Sequence, residues 1–273
     1  MTRDGFKIDV RLSERWLGGN YANAQAEFQR DGLTVLPNFL SARAANRIYA
    51  GFSELNRRDL WYQAVCGDPT FVDEAFGTYS AESRRRHFSY SFDQYPILDV
   101  FLDSRAGPGP FTSRRDMLLG ITKKEIRRLR RIMAAPQVEL RPTNPLRALR
   151  TFLASASFAK LAAGVTGLPI ARGFLTGQVS RYRSGSYVSL HTDESKTRLC
   201  AFVIYLTPLW LPHWGGHLLI FDQQGRLPQG VILPEFNSLL LFKTPRAHAV
   251  TAVGPDCPRY RYAVFGWFLR PAV

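Results

Sequence analysis

The chain has 273 residues, a formal net charge of +14, and 45% hydrophobic and 13% aromatic residues. This composition is typical of a globular protein with a substantial core. No stretch reaches the roughly 20 apolar residues that a membrane-spanning helix needs, and the N-terminus lacks an apolar signal core. Because Cys66, Cys200 and Cys257 follow no metal-binding spacing, we expect a protein of the reducing cytoplasm, with Cys200 in an apolar strand of the core.

The first 170 residues predict mostly helical support. Segment 28–40 is typical of a helix end, a glycine stop and a short strand. Two helices follow from capping signals: one from 42 to about 55 capped by Ser41, and one opened by Asn144-Pro145, running through 163 and ended by Gly164.

Charge is concentrated in a basic insertion at about 101–150, which holds 12 Lys and Arg against 4 Asp and Glu. Thr122 to Glu125 form a capping box, and Ile126, Leu129 and Met133 give the following helix a narrow apolar stripe. The basic positions indicate either a solvated helix face or a lid or docking surface for an acidic partner, such as a phosphorylated substrate, an acidic protein or RNA. No signature of specific nucleic-acid recognition accompanies them.

The residues after 171 predict a β-rich core. Short runs rich in β-branched and aromatic residues alternate with turn residues, which favours an all-β sandwich or jelly roll. The predicted strands lie at 178–182, 199–206, 217–221, 238–242, 248–253 and 261–268, with a Gly215-Gly216 break and a turn at 234–237.

Two histidines and one carboxylate in this region form a candidate metal site. His191 and Asp193 are two apart, so in an extended segment both point to one side, and His248 can close the site once the sheet folds. Such a facial triad leaves three positions of an octahedral Fe(II) open. Alternatively, His191 and Asp193 form an ordinary surface turn and His248 is a structural histidine.

From about 174 to 270 the sequence resembles the Fe(II)/2-oxoglutarate-dependent dioxygenases, specifically their prolyl-hydroxylase-like branch. The matching elements are Tyr182, His191-x-Asp193, Arg198, Tyr205-Leu206, Trp210, Gly215-Gly216, Pro234, Phe242, His248-x-Val250, Arg261 and Gly266-Trp267-Phe268. Their order over so long a stretch is far more specific than an isolated His-x-Asp.

The resemblance implies a mainly β fold with helical support (α+β). Its core is a double-stranded β-helix (a cupin-like jelly roll) packed against N-terminal helices. We expect one oxygenase domain over 1–273, with the β-helix core at 171–273.

The resemblance also implies Fe(II) held by His191, Asp193 and His248, with 2-oxoglutarate and O2 as co-substrates and ascorbate as a potential stimulant. The distal carboxylate of 2-oxoglutarate would pair with Arg261, helped by Tyr205, because a buried guanidinium matches a carboxylate bidentately. Arg259 is the rival arginine, and Tyr182 would lie near a substrate or co-substrate carboxylate.

The implied activity is hydroxylation of an unactivated C–H bond, with succinate and CO2 as co-products, since Asp193 keeps the carboxylate that halogenating relatives lack. The target would be an amino-acid-like group, such as a prolyl residue in a protein or a related small molecule. The alternatives are a biosynthetic tailoring oxygenase acting on a free or carrier-bound anionic metabolite, and a non-catalytic binding module. His213 and His217 are expected at the rim or in packing, and His87 is expected to be exposed or to touch substrate. Oligomeric state stays open.

Overall fold

The structure is a computed structural model that describes residues 10–66, 89–99, 140–141, 143–172, 175–196, 198–222 and 224–270. The predicted basic helix and His87 lie outside the described residues. None of the described helices is long and apolar enough to cross a membrane.

Five helices lie in the described part of the chain. They are α1 (Glu14–Leu17), α2 (Ala22–Asp31), α3 (Ala42–Arg57), α4 (Pro145–Leu153) and α5 (Ala156–Thr166). A single 3-10 turn, Pro212–Trp214, follows within the β region.

The described strands form one mainly antiparallel sheet. They are β1 (Leu33–Leu36), β2 (Tyr62–Cys66), β3 (Tyr90–Asp99), β4 (Leu175–Tyr182), β5 (Tyr187–His191), β6 (Arg198–Tyr205), β7 (Leu218–Phe221), β8 (Pro228–Ile232), β9 (Ser238–Lys243), β10 (His248–Val250) and β11 (Arg261–Leu269). Their order is β1-β9-β6-β11-β4-β3-β5-β10-β7-β8, and β2 pairs with β3. This half-barrel of antiparallel strands confirms the predicted β fold with helical support.

The N-terminal half contributes more than helices to this sheet. Strand β3 lies between β4 and β5, and it pairs with both of them. Strand β1 forms one edge by pairing with β9. The prediction of mostly helical support before residue 170 was therefore incomplete, because local pattern does not show which distant strands a segment will pair with.

The second predicted helix is divided. Ser155 accepts a hydrogen bond from the Phe158 amide and caps a separate helix, so the chain forms α4 and α5 in place of one helix through 163. Gly164, the predicted C-cap, lies inside α5, where a Cβ would come 2.6 Å from the Tyr21 ring. Gly167, with φ +69°, ends the helix instead. Ser41 caps α3 as predicted.

The helices cover one face of the sheet with an aromatic core. Phe39, Phe158, Phe202 and Phe268 are each less than 2% exposed, and their rings meet edge-on or tilted at centroid distances of 5.2–6.0 Å. Fully burying one such side chain contributes about 1.5–3 kcal/mol. This packing holds β6 and β11 rigid, and those two strands carry part of the site described below.

A buried carboxylate joins α3 to the start of α4. Glu54 accepts hydrogen bonds from Asn144 Nδ2 at 2.7 Å, Arg58 Nη1 at 2.7 Å and the Arg141 amide at 3.1 Å. Burial by itself raises the pKa of Glu54, but these three donors outweigh burial and hold the pKa below its usual value. The charged carboxylate is therefore the form that suits the folded protein.

We expect Glu54→Gln to lower the free energy of unfolding by about 1–3 kcal/mol, because the new amide NH2 must face donors only. A lowered pKa means that the carboxylate stabilises the fold at neutral pH and loses this effect as the pH falls. The difference between the two proteins in urea unfolding should therefore shrink towards acidic pH. The exposed Asp59→Asn control should change stability by less than about 0.5 kcal/mol. Equal stability of Glu54→Gln and the wild type at pH 7 would contradict this account.

Candidate metal and co-substrate site

The three predicted metal ligands come together at one point. His191 ends β5 and His248 begins β10, and the two residues are direct partners in the antiparallel pairing of these strands. One ligand atom from each histidine and from Asp193 lies within 4.8 Å of the others. Among the described residues, this is the one such group of His, Cys, Asp or Glu. Their role as iron ligands stays a prediction.

Asp193 reaches the histidines by a route that differs from the expected one. Strand β5 ends at His191, and Asp193 lies in the turn that follows, with φ +55°. Side-chain alternation along an extended segment was therefore the wrong reason for the pairing. The turn is held by a hydrogen bond from the Arg246 amide to the Thr192 carbonyl, and aspartate tolerates this left-handed conformation better than most residues.

Backbone carbonyls orient both imidazoles. His191 Nδ1 lies 2.9 Å from the Ser189 carbonyl, and His248 Nδ1 lies 2.7 Å from the Arg246 carbonyl. A carbonyl only accepts, so each Nδ1 carries the proton and donates it. In the neutral ring Nε2 is then the accepting nitrogen, and each Nε2 lies 3.5 Å from the Asp193 carboxylate. This is the tautomer that a metal requires.

Two side chains hold the Asp193 carboxylate. Arg198 Nη1 donates to one oxygen at 3.1 Å, and Trp267 Nε1 donates to the other at 2.9 Å. The Arg198 guanidinium also lies 3.7 Å from the Trp267 ring centroid. Burial raises the pKa of Asp193, but the neighbouring His191, His248 and Arg198 outweigh burial and hold the pKa well below its usual value. The carboxylate is thus anionic at neutral pH.

Burial also keeps His248 neutral. The side chain is 5% exposed, and desolvation together with the neighbouring His191 lowers the pKa of His248 to about 4. A neutral imidazole at pH 7 can coordinate without first losing a proton. Two imidazoles and one carboxylate, each fixed by further hydrogen bonds, fit a divalent transition metal such as Fe(II).

A second feature is a buried arginine on β11. Arg261 is 3% exposed, and its guanidinium lies 4.8 Å from the Tyr182 ring centroid and 5.0 Å from that of Tyr205. Arg261 Nε and the Tyr205 hydroxyl are buried and have no hydrogen-bond partner in the described part of the protein. The rival Arg259 is exposed and donates to the Pro208 carbonyl. The geometry therefore favours Arg261 as the carboxylate partner.

The tyrosines beside Arg261 are neutral hydrogen-bonding groups. Burial raises the pKa of both Tyr182 and Tyr205, and the Arg261 charge only partly opposes this effect. Tyr182 is also stacked on Phe92, with ring centroids 5.0 Å apart. Both phenols keep their protons at neutral pH.

An apolar surface connects the two polar ends. One buried cluster consists of Ala201, Tyr205, Leu218, Ile220, Leu240, Phe242 and Ala263. At one end Phe242 contacts the His248 ring, with centroids 4.9 Å apart, and at the other Tyr205 packs on Arg261. A molecule with a metal-binding group, a short hydrocarbon chain and a carboxylate matches this sequence of environments.

His217 was assigned to the rim or to packing, and its side chain is half-buried. Its Nε2 is buried without a hydrogen-bond partner among the described residues, and the Arg261 charge lowers its pKa after the larger effect of burial. In the sequence, His217 directly follows Gly215-Gly216, which is one of the elements that carry the family resemblance. His213, its neighbour in sequence, is exposed.

We expect Trp267→Phe to weaken binding of Fe(II), or of Mn(II) as a substitute, by about 10–100-fold, because one oxygen of Asp193 loses its donor. Trp210→Phe is a matched control, since its indole N–H donates to the Gly215 carbonyl and not to a ligand. Metal titration followed by calorimetry would test this. Equal losses in both variants would show that the Trp267 bond does not support the metal site.

Known proteins provide an independent comparison. Residues 177–269 match the family model of the 2OG-Fe(II) oxygenase superfamily. The chain is 29% identical over 100 residues to mouse (Mus musculus) prolyl 3-hydroxylase OGFOD1, a match that covers 34% of this chain and 18% of that protein. The chain thus matches less than one fifth of the length of this relative.

Solved structures extend the likeness over most of the chain. A Pseudomonas putida prolyl-4-hydroxylase superposes with a TM-score of 0.53 at 19% identity, covering 92% of this chain and 99% of its own. A Trichoplax adhaerens prolyl hydroxylase in complex with a peptide fragment of hypoxia inducible factor gives 0.57 at 14% identity, covering 93% and 90%. At these identities the likeness shows the fold, so the predicted jelly roll is confirmed.

The family match confirms the resemblance inferred from the sequence. It covers the region that carries His191, Asp193, His248 and Arg261. That superfamily uses Fe(II) as its metal cofactor and 2-oxoglutarate and O2 as co-substrates, in agreement with the predicted set.

Proposed function

We propose that this chain, whose residues 177–269 match the 2OG-Fe(II) oxygenase superfamily, is a 2-oxoglutarate-dependent hydroxylase. One observation carries the proposal: a His-Asp-His group and a buried arginine without an ion-pair partner among the described residues lie at opposite ends of one apolar cluster. A binding module would have no need for two histidines held in the metal-binding tautomer.

The site matches 2-oxoglutarate from end to end. His191, Asp193 and His248 would hold iron, which the 2-oxo acid end of the co-substrate chelates. The hydrocarbon part would lie against the apolar cluster, and the distal carboxylate would pair with Arg261, with the Tyr205 hydroxyl as a further donor. Arg261 without such a ligand keeps a buried charge unpaired, which costs several kcal/mol.

Iron held by these residues would supply the redox chemistry that couples loss of CO2 from 2-oxoglutarate to hydroxylation of a C–H bond. The protein's own side chains position the metal-binding groups and exclude water from them. Arg198 and Trp267 fix the Asp193 carboxylate, and Phe242 shields the buried face of His248 from water. Because Asp193 would occupy one coordination position as an anion, hydroxylation is favoured over transfer of a halide.

The substrate we propose is an amino-acid-like group, in the first place a prolyl residue of a protein. One relative is a prolyl 3-hydroxylase, and one structure with the same fold was solved with a peptide fragment. The alternative is an anionic metabolite, free or carrier-bound, recognised through the basic character of the chain. We further propose one oxygenase domain over 1–273 in a reducing cytoplasm, which suits ferrous iron.

Anaerobic addition of Fe(II) and 2-oxoglutarate tests the proposal. A weak visible charge-transfer band that needs both additions would establish the chelate, and succinate production under air with peptide or metabolite libraries would then separate the two substrate classes. Absence of the band from folded protein with bound iron would refute the assignment. The exposed His213→Ala variant should give the wild-type band.

A further inference from the structure

Three buried polar atoms around the carboxylate end of the site lack hydrogen-bond partners among the described residues. They are the Tyr205 hydroxyl, Arg261 Nε and His217 Nε2. A buried polar atom without a partner costs about 1–3 kcal/mol, so such groups are usually completed by a ligand or by water. The first two already belong to the proposed 2-oxoglutarate site, and His217 has no part in the family-based assignment.

The backbone places His217 beside Arg261. The preceding Gly216 has φ +66°, and a Cβ there would come 2.9 Å from Arg261 Cδ. His217 is then fixed by two hydrogen bonds with Thr251: its amide donates to the Thr251 hydroxyl at 2.9 Å, and its carbonyl accepts from the Thr251 amide at 2.9 Å. The two bonds with Thr251 thus fix the His217 backbone directly after the glycine that packs against Arg261.

The contact with Pro212 indicates which nitrogen of the His217 imidazole carries the proton. His217 is hydrogen-bonded to the backbone of Pro212. Proline has no N–H, so its carbonyl must accept and an imidazole N–H must donate. Since Nε2 has no partner in the part of the protein that the structure describes, the donor is Nδ1. The neutral ring therefore carries its lone pair at the buried Nε2.

We propose that His217 is a second cationic partner of the co-substrate's distal carboxylate, and that it takes up one proton when that carboxylate binds. In the free protein Nε2 carries a lone pair, which a carboxylate oxygen would repel. With the carboxylate between His217 and Arg261, a proton from solvent adds to Nε2, and the imidazolium N–H donates to a carboxylate oxygen. The step forms one N–H bond at Nε2 and breaks one bond between that proton and a solvent donor. This inference rests on the proposed function.

The charges around His217 support this uptake of a proton on binding. Among the described residues, Arg261 is the one charged side chain that shifts the pKa of His217, and it lowers that pKa together with burial. The other titratable groups at this end, Tyr182 and Tyr205, stay protonated and neutral. A bound carboxylate would offset the Arg261 charge and add an attractive partner, so the pKa of His217 must rise in the complex.

The sign of the pH dependence follows. Where the pKa is higher in the complex than in the free protein, binding takes up a proton, and affinity falls as the pH rises between the two pKa values. The decrease can reach about tenfold per pH unit for one proton. A 2-oxo monoacid with the same metal-binding end but no distal carboxylate should lack this component.

The test measures affinity and proton uptake. Calorimetry with the Mn(II)-loaded protein compares 2-oxoglutarate with 2-oxopentanoate between pH 6 and 8, in two buffers with different ionisation enthalpies. We expect binding of 2-oxoglutarate to take up more protons than binding of 2-oxopentanoate does, because only the dicarboxylate would protonate His217. Any protonation change at the metal ligands is common to both acids and cancels in the comparison. His217→Asn should remove the excess and weaken 2-oxoglutarate binding at pH 6 by roughly tenfold. His213→Asn, an exposed histidine four positions earlier, should not.

The outcomes separate this inference from the proposed function. Equal proton uptake for both acids in the wild type would overturn the role of His217 while leaving the oxygenase site intact, and that measurement needs no variant. Excess uptake that persists in His217→Asn, or in His217→Gln if the first variant does not fold, would also overturn it. If neither acid binds the metal-loaded protein, both proposals fail.

Discussion

Replacing His248 with alanine is expected to reduce affinity for Fe(II) by more than about 100-fold and to abolish 2-oxoglutarate turnover. Loss of a group that only orients a ligand costs about 10–100-fold, so loss of a ligand itself costs more. His248 supplies an Nε2 lone pair 3.5 Å from the Asp193 carboxylate, and its ring is the direct cross-strand partner of His191. Without it, two ligands remain and an octahedral ion is open to water on most of its sides.

Metal titration monitored by calorimetry would measure this effect. His248→Asn is a second variant, because its larger polar side chain leaves less empty space beside Phe242 than alanine does. His213→Ala removes an exposed histidine and should bind metal as the wild type does. If His248→Ala retained wild-type affinity while His191→Ala lost it, the site would contain a different third ligand.

Arg261→Ala is expected to raise the dissociation constant for 2-oxoglutarate roughly 100-fold or more while leaving affinity for the metal nearly unchanged. The buried guanidinium would make a charge-assisted pair with the distal carboxylate, and truncating such a partner costs about 2–5 kcal/mol. The two histidines of the proposed metal site lie on other strands and keep their own hydrogen bonds. The change should therefore be seen in binding of the co-substrate and not of the ion.

Arg259→Ala is the matched control. It removes the same charge two residues earlier, from an exposed side chain that donates only to the Pro208 carbonyl among the described residues. Anaerobic titration of the chelate band with 2-oxoglutarate would compare the two variants. A large effect of Arg259→Ala with a small effect of Arg261→Ala would show that the distal carboxylate pairs with Arg259 and that the proposed pairing with Arg261 is wrong.

The strands of the C-terminal half were predictable because their signal is local. Runs such as Leu199–Leu206 and Ser238–Phe242 are apolar over four or more residues between turn residues, and they form β6 and β9 nearly within the predicted bounds. Strand β8 was missed because its residues 228–232 include a proline and a glycine and are mostly exposed. Strand β3 was missed because its place in the sheet comes from β4 and β5, which lie far along the chain.

The sequence by itself determined the chemical nature of the site: two imidazoles, one carboxylate and one arginine, in the order and spacing of a known family. Residue types and their order along the chain are local information. The tertiary structure decided which nitrogen of each histidine faces the site, that Asp193 reaches it from a left-handed turn, and that Arg261 and not Arg259 is buried between tyrosines. It also brought His217 to Arg261. These features depend on strand pairing between residues distant in sequence, and hydrophobic periodicity does not encode such pairing.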